Sequence, residues 1–426
     1  MMRIFFLLFF VLLFGDFNLK AQQITFKINY GFLNMERGNY IEQTMDGGYI
    51  LCGYINDDTY SNKCYIIKID SLSNTEWSKI IAPPDTDYSD LHGLYIHQID
   101  SGSYMVFVRK IDGNYKHGLL IKLNEYGDTL WSKLYKNYAG PNNDNAFKTF
   151  DNGYLIYVDD AYGSNDTLKV LKTDINGDSI WAKKYYSGKD DFYAATQSID
   201  SGYILSGGRF ESYTSMPLLK LDKNGDSLWL KNYGGVASNI DIWAIDIYST
   251  SDSGFIILGQ TMLPPDWVYA IYLLKINADG DTIWSKTYGI DNCYYLGTSI
   301  SQTKDNGYIL TYGICDNVTT NYNICLMKTD KNGDSLWTKV FPSVQQDISI
   351  YPWGDMAYQV QQTRDKGYIL VGQKYMNALM GYDAYVIKTD SLGNVYEYNV
   401  GNSEFKDFNI NFSVFPNPLK DNTIIS

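Results

Sequence analysis

The sequence predicts an all-β fold: a seven-bladed β-propeller of four-stranded antiparallel blades, with the ring closed by the N-terminal strand. Three observations carry this expectation. One phrase recurs seven times: a D-x-G turn before an aromatic residue, a Lys-Thr-Asp strand end about 20 residues later, then a short turn into a Trp. The aromatic falls at Tyr49, Tyr104, Tyr154, Tyr203, Phe255, Tyr308 and Tyr368, and the lysine at Lys68, Lys122, Lys172, Lys220, Lys275, Lys328 and Lys388. Successive lysines lie 54, 50, 48, 55, 53 and 60 residues apart, and strand-built self-similarity at roughly 40–50 residues marks sheets stacked around an axis. The composition agrees: 39 Tyr and 9 Trp against 10 Pro suit half-buried strands broken by short turns.

Within one repeat, residues 291–341, four strands can be read. Tyr294 to Thr303 leads to the turn at 304–307, then to a strand from Tyr308 to Tyr312. An irregular loop precedes the third strand, Asn323 to Thr329. The turn at 330–334 leads into the fourth, Ser335 to Lys339. Four strands of five to seven residues in about 50 residues match one propeller blade. In T-x-D-x-G-Y the Asp accepts backbone hydrogen bonds and the Gly is expected to supply a positive φ. The N-G-D turn before the Trp does the same with its Gly. The tryptophans Trp77, Trp131, Trp181, Trp229, Trp284 and Trp337 are expected to be major contributors to the core between sheets.

Unit seven has Glu397 where the Trp belongs, whereas Thr25 to Gly31 read like a fourth strand without a blade, with Phe26 at the Trp position. The N-terminal strand is therefore expected to complete unit seven and leave no bare sheet edge. Ahead of it, Arg3 and the apolar run Ile4 to Phe14 end near Ala21, the pattern of a secretory signal too short to span a bilayer. The expected organisation is a signal peptide at 1–21, the propeller at 22–402, a linker at 403–412 and a further segment at 413–426. No membrane span is expected after signal removal.

The net charge of −13 and the lack of a basic stripe argue against nucleic acid as a partner. Of the five cysteines, Cys52 with Cys64 and Cys315 with Cys325 flank equivalent hairpins. Two readings stand for each pair: a cross-strand bridge in an exported chain, or buried thiols.

The repeat resembles that of bacterial secreted propellers related in outline to quinoprotein-type propellers, over residues 24 to about 402. The TDxNGDSxW turn also resembles the Asp-box hairpin of sialidase-like propellers, one residue longer. The tail Ser413-Val414-Phe415-Pro416-Asn417-Pro418 resembles the opening of the type A sorting domain of the type IX secretion system of Bacteroidota, here in truncated form. That resemblance implies the type IX machinery as a partner, and a secreted or outer-surface location.

In a four-stranded up-and-down blade the first and third turns share one face of the wheel. Those turns are regular here, while the second loops and the crossovers vary from unit to unit. The variable face is therefore expected to carry recognition. Its candidate ligand-binding residues are Trp243, Trp267, Trp353, Tyr193, Tyr295, Asp241 and Asp355. Tyr88, Asp90, Asp191 and Tyr294 occupy comparable crossover positions. Aromatics beside carboxylates suit sugar rings or peptides; the alternative is that the aromatics pack across blade tops while each Asp caps a strand.

Catalytic residues are not identified. His92, His97 and His117 neighbour no nucleophile motif, and His92 and His97 are expected on opposite faces of one strand. The D-x-N-G-D turns resemble half of a calcium loop, but lack its Gly at position six and Glu at position twelve. A plain turn is the reading, and no cofactor or metal is expected. The reading is a monomeric binding module for a glycan, protein or surface partner, and not an enzyme; the alternative is a polysaccharide hydrolase or lyase on the same scaffold.

Overall fold

The computed structural model describes residues 23–31, 35–56, 61–83, 89–113, 115–136, 138, 146–159, 167–186, 190–209, 214–234, 241–263, 268–289, 293–316, 322–343, 354–377, 381–396 and 412–414. The fold is an all-β propeller of four-stranded antiparallel blades. Five sheets contain four strands in sequence order, spanning 90–135, 146–186, 190–234, 242–288 and 293–341, which are repeat units two to six. The remaining sheet has nine strands. It joins unit seven (Met356–Gln362, Tyr368–Asn377, Gly381–Thr389) to unit one (Met35–Gln43, Tyr49–Asn56, Asn62–Ile69, Thr75–Ala82) through a single parallel pair, Met35 with Tyr382. The strand Phe412–Val414 runs parallel along Thr75–Ala82. The signal segment, residues 403–411 of the linker and residues 415–426 lie outside the described residues.

Phe26–Tyr30 pairs antiparallel with Gly381–Thr389, so unit seven has its fourth strand from the other end of the chain. The register is that of every other unit. Phe26 stands opposite Lys388 as Trp77 stands opposite Lys68, and Trp337 opposite Lys328. The Phe26 ring meets Tyr49 of unit one edge-on at 6.2 Å, as Trp337 meets Tyr368 at 5.8 Å.

Hydrophobic side chains alternate along the strands into seven clusters, each straddling two successive units, one of them between units seven and one. Polar bonds repeat at the same joints. A Gln at the end of a unit's first strand accepts the backbone N–H of the preceding unit's first turn. Examples are Gln98 from Met45 at 2.6 Å and Gln362 from Lys304 at 2.8 Å. Gln43 of unit one accepts from Arg364 of unit seven at 2.9 Å. A Lys two residues after the Trp reaches the next unit's N-G-D turn, as Lys79 does with Asp128 at 2.7 Å and Lys231 with Asp281 at 2.9 Å.

The Lys-Thr-Asp element is a buried clamp. Lys68, Lys172, Lys220, Lys275, Lys328 and Lys388 are at most 4 % exposed, and each pairs with the Asp of its own unit's first turn: Asp46, Asp151, Asp200, Asp252, Asp305 and Asp365, at 2.8–3.0 Å. Lys328 Nζ also donates to Thr329 O at 2.7 Å, and Asp305 accepts from Gly307 N at 3.0 Å. Unit two departs: its Asp100 sits one residue early in the turn and binds Gly102 N and Ser103 Oγ, while Lys122 is only half-buried.

Two expectations are corrected. In the D-x-G turn the positive φ belongs to the residue before the Gly, such as Asn306 (φ 64°) or Lys366 (φ 68°). The Gly is required for space, because a Cβ at Gly307 would strike Thr329 O and the Lys328 Nζ. The tryptophans pack against the clusters between sheets as expected, but each is only half-buried. They lie over the next unit's turn, where a Cβ on Gly333 (φ 82°) would fall 2.8 Å from the Trp284 ring. They therefore seal one edge of the inter-sheet core, whose interior is aliphatic and tyrosyl.

Of the two readings open for the cysteines, the structure shows buried thiols: neither Cys52–Cys64 nor Cys315–Cys325 is bridged. Cys64 stands opposite Tyr54 and Cys52 opposite Ile66, a diagonal offset, while Cys325 stands opposite Tyr312, three residues from Cys315. Diagonal Cβ atoms lie about 7 Å apart, beyond the roughly 4 Å a disulfide spans.

Asp305→Ala leaves the Lys328 ammonium buried without its carboxylate and is expected to cost about 2 kcal/mol. Lys328→Met leaves an exposed carboxylate (61 % exposed) and is expected to cost less than about 1 kcal/mol. Urea unfolding of both variants checks the order; a larger loss for the lysine change contradicts the clamp.

Acid stability should show a maximum near pH 5. Burial alone would raise the clamp carboxyls, but bonds from the lysines, threonines and turn amides outweigh it and hold Asp46, Asp151, Asp200, Asp252, Asp305 and Asp365 below the usual range. Depressed carboxyls stabilise above their unfolded value, near 4, and lose that contribution as pH falls below it. Burial raises Asp246 and Asp355 to about 6 and Glu42 to about 7; these favour the folded state while protonated and cost stability as pH rises through 5 to 7. Denaturation midpoints at pH 3, 5 and 7 test both limbs.

Candidate functional site

The first strands of successive units lie side by side: Met35–Gln43 contacts both Asp90–Asp100 and Met356–Gln362, and Ile242–Ser249 contacts Cys293–Gln302. They form the inner layer. Each begins at the face carrying the variable loops and ends at the regular turns, so the variable face displays their opening residues.

On that face, units five and six set out a row of partly exposed aromatics. Trp243 begins the first strand of unit five, Tyr269 the third, and Tyr294 the first strand of unit six. The Trp243 and Tyr269 rings meet edge-on at 5.8 Å, and Tyr269 and Tyr294 at 5.9 Å. Tyr322, before the third strand of unit six, lies close enough to both tyrosines for their charges to couple, and burial pushes its hydroxyl up to about 12. Edge-to-face contact keeps the rings in fixed relative orientation. Tyr269 and Tyr322 did not stand out in the sequence. The signal that would have found them is the aromatic at the entry to the third strand, where Asn62, Lys116 and Thr214 stand in other units.

The other expected contact residues scatter. Tyr295 is 7 % exposed and turned into the core between units five and six, where its ring faces Tyr312 at 5.9 Å. Strand alternation explains this, since Tyr294 and Tyr295 point to opposite sides. Asp241 accepts the Thr214 N–H, and its own carbonyl accepts from Thr261 Oγ1 at 2.7 Å. Asp355 is buried and accepts Tyr375 N–H at 2.8 Å. Asp90 takes the same part, accepting Asn62 N–H at 2.7 Å. These carboxylates tie a strand opening to a neighbouring strand. Trp267, Trp353, Tyr88 and the side chain of Tyr193 lie outside the described residues.

A second polar group stands where units seven, one and two meet on the same face. The Arg37 guanidinium lies over the Tyr358 ring, 3.6 Å from its centroid. His92 packs on Tyr54 at 4.4 Å, with Asn62 Nδ2 3.2 Å from its Nε2 and Arg109 Nη2 3.4 Å from its Nδ1. Burial, then the two arginines, holds His92 far below the usual histidine range, at about 3. His97 lies on the other side of unit two, its ring 6.1 Å from Tyr154 of unit three, so the two histidines share no ligand.

The N-G-D turns are filled by their own backbone. Asp174 Oδ1 accepts Asn176 N at 2.9 Å and Asp178 N at 2.8 Å. Among the described residues no group of three or more His, Cys, Asp or Glu is placed to hold a metal ion. On the regular face a cleft of about 460 Å³ opens between units six and seven, lined by Trp337, Tyr368, Lys304, Lys366, Leu336 and Leu392. Repeat logic did not foresee it, having treated that face as scaffold.

No protein-family model matches the chain, and no curated protein does. Solved structures of similar fold include a protein of unknown function from Dyadobacter fermentans, 12 % identical, covering 70 % of this chain and 95 % of that one at a TM-score of 0.46. The β-propeller domain of the Trilobed protease from Pyrococcus furiosus, described as having an open velcro topology, is 10 % identical, covering 86 % and 98 % at 0.46. A thermostable family-43 glycoside hydrolase is 13 % identical, covering 59 % and 91 % at 0.36. These scores lend no argument to any particular activity.

Proposed function

We propose that this chain is an exported, surface-exposed propeller that binds a glycan through its variable face, with Trp243, Tyr269 and Tyr294 as the platform. The observation that carries the reading is the fixed aromatic row on the face where units differ. Sugar rings stack on such faces, and large aromatics dominate binding energy where they are partly exposed. Binding is favoured over hydrolysis because Asp241, Asp355 and Asp90 each accept a backbone N–H instead of converging on a shared space. Export rests on the apolar leader that ends near Ala21, and type IX sorting on Ser413 to Pro418.

The architecture proposed for this function is a wheel of seven blades. The nine-stranded sheet is then units seven and one touching at the one pair Met35–Tyr382, with Phe26–Tyr30 as the closing strand. What supports it is that the Gln43–Arg364 bond and the Phe26–Tyr49 contact repeat those at the other joints. Removal of residues 22–31 should lower the melting temperature by several degrees, read by calorimetry; an unchanged transition would count against closure.

A glycan array with the mature chain should return a defined saccharide class. Trp243→Ala and Tyr269→Ala should each weaken binding of that class by about tenfold or more with unaltered melting. Binding retained in both variants, or an array without hits, overturns the reading.

A further inference from the structure

We propose that the cleft between units six and seven on the regular face binds a small amphipathic carboxylate, an aromatic or alkyl acid whose anionic end is held by Lys304 and Lys366. The cleft encloses about 460 Å³, within the range of small-molecule sites. Leu336, Trp337, Tyr368 and Leu392 give it an apolar wall, and both lysines line it. It lies on the face opposite the aromatic row, so nothing in it rests on the glycan reading.

Three departures from the repeat coincide at this joint, and each moves its charge the same way. The first is a pair. Gln362 accepts the Lys304 N–H at 2.8 Å and donates to the Lys366 carbonyl at 3.4 Å, so one side chain holds the backbone of both lysines. The same glutamine bonds at other joints join Phe150 to Ser201, Ser251 to Asn306 and Arg364 to Gly47. Of these joints, only the one between units six and seven sets two cations together. The second departure is Lys366 itself, which occupies the positive-φ position of its turn (φ 68°), where other units carry Asn152, Ser201, Ser253 or Asn306. Asparagine is enriched in that region and lysine is not, so the ammonium is placed there against backbone strain.

The third departure is Asn394, which stands where the preceding units have Asp128, Asp178, Asp226, Asp281 and Asp334. Those carboxylates bind the lysine two residues after the preceding unit's Trp, as Asp226 binds Lys183 at 2.6 Å. At this joint that lysine is Lys339. It lies with Trp337 against Gly393, where a Cβ would fall 2.8 Å from the Lys339 Cγ. Lys304, Lys339 and Lys366 make no ion pair among the described residues.

The acidic neighbours are already engaged. Asp305, the one carboxylate among the described residues lining the cleft, takes the Lys328 ammonium at 3.0 Å, the Thr303 hydroxyl and the Gly307 N–H. Asp390, close enough to Tyr368 to act on its hydroxyl, accepts from the Leu392 and Asn394 amides at 2.8 and 2.7 Å. Unpaired ammonium groups beside an indole ring and two leucines match a ligand that has both parts. Its carboxylate forms charge-assisted hydrogen bonds with the lysines, and its apolar body covers Trp337. An inorganic anion gains only the first contact, and a neutral hydrocarbon only the second.

The test uses the full chain with sodium 4-phenylbutyrate and sodium octanoate, against 4-phenylbutanol and sodium acetate at matched ionic strength, read by titration calorimetry and thermal shift. Phenylbutyrate and octanoate should saturate one site, while phenylbutanol and acetate should bind about tenfold more weakly or less. Lys304→Gln should weaken both acids by about fivefold. Lys366→Asn should weaken them by a similar factor while raising the melting temperature, because asparagine suits the positive φ. Opposite signs of affinity and stability in one variant are the mark of a ligand role that a structural lysine would not show. Asn394→Asp, which gives Lys339 the carboxylate of the other units, should weaken both acids as well. Equal affinity for phenylbutyrate and phenylbutanol overturns the site, and so does unchanged affinity in Lys304→Gln and Lys366→Asn. Failure of both acids to saturate the native chain overturns it too, and leaves the glycan reading untouched.

Discussion

In six of the seven units a lysine ammonium buried at the end of the third strand needs a carboxylate, and the Asp of the first turn supplies it. Burial of an unpaired ammonium costs several kcal/mol, so this need fixes the position of the first turn relative to the third strand in units one and three to seven. The rest follows in order. The turn Gly must lack a side chain because the lysine head occupies that space. The residue before it is forced to positive φ. The register shifts just after the lysine, and the Trp of the fourth strand falls opposite it.

With each unit locked internally, the joints need few kinds of contact. The Trp closes over the next turn, the Gln takes the preceding turn's amide, and the outer Lys reaches the next N-G-D carboxylate. All of these sit at the regular face. That concentration explains why the turns there repeat: each turn residue answers both to its own clamp and to a neighbouring unit. The opposite loops answer to neither constraint, and it is there that Trp243, Tyr269 and Tyr294 line up, and that Arg37 and Arg109 both come near His92.

Unit two shows what happens when the phrase slips. Asp100 comes one residue early, Lys122 loses full burial, and the carboxylate turns to Gly102 and Ser103. The sheet still forms, because strand pairing and the clusters shared with units one and three remain. The clamp thus adds stability and turn geometry to a blade that the hydrophobic pattern already specifies.

The repeat period, the four-strand unit, the regular face and the kinship of Phe26 with the tryptophans could all be read from the residues in order, because each depends on local spacing that the chain repeats. The lysine–aspartate partnership was visible only as two recurring letters; about 23 residues separate Asp305 from Lys328, and pairing across them is a matter of tertiary distance. The site was less legible for the same reason. Whether Tyr294 or Tyr295 faces outward depends on the pleat of one strand. Cys52 and Cys64 share a hairpin, but the register sets them on a diagonal. Arg37 and Arg109, 72 residues apart in the chain, both come near His92 only because neighbouring blades bring the openings of their strands to the same corner. Local spacing decided what kind of module this chain makes; the packing of module against module decided which side chains stand together.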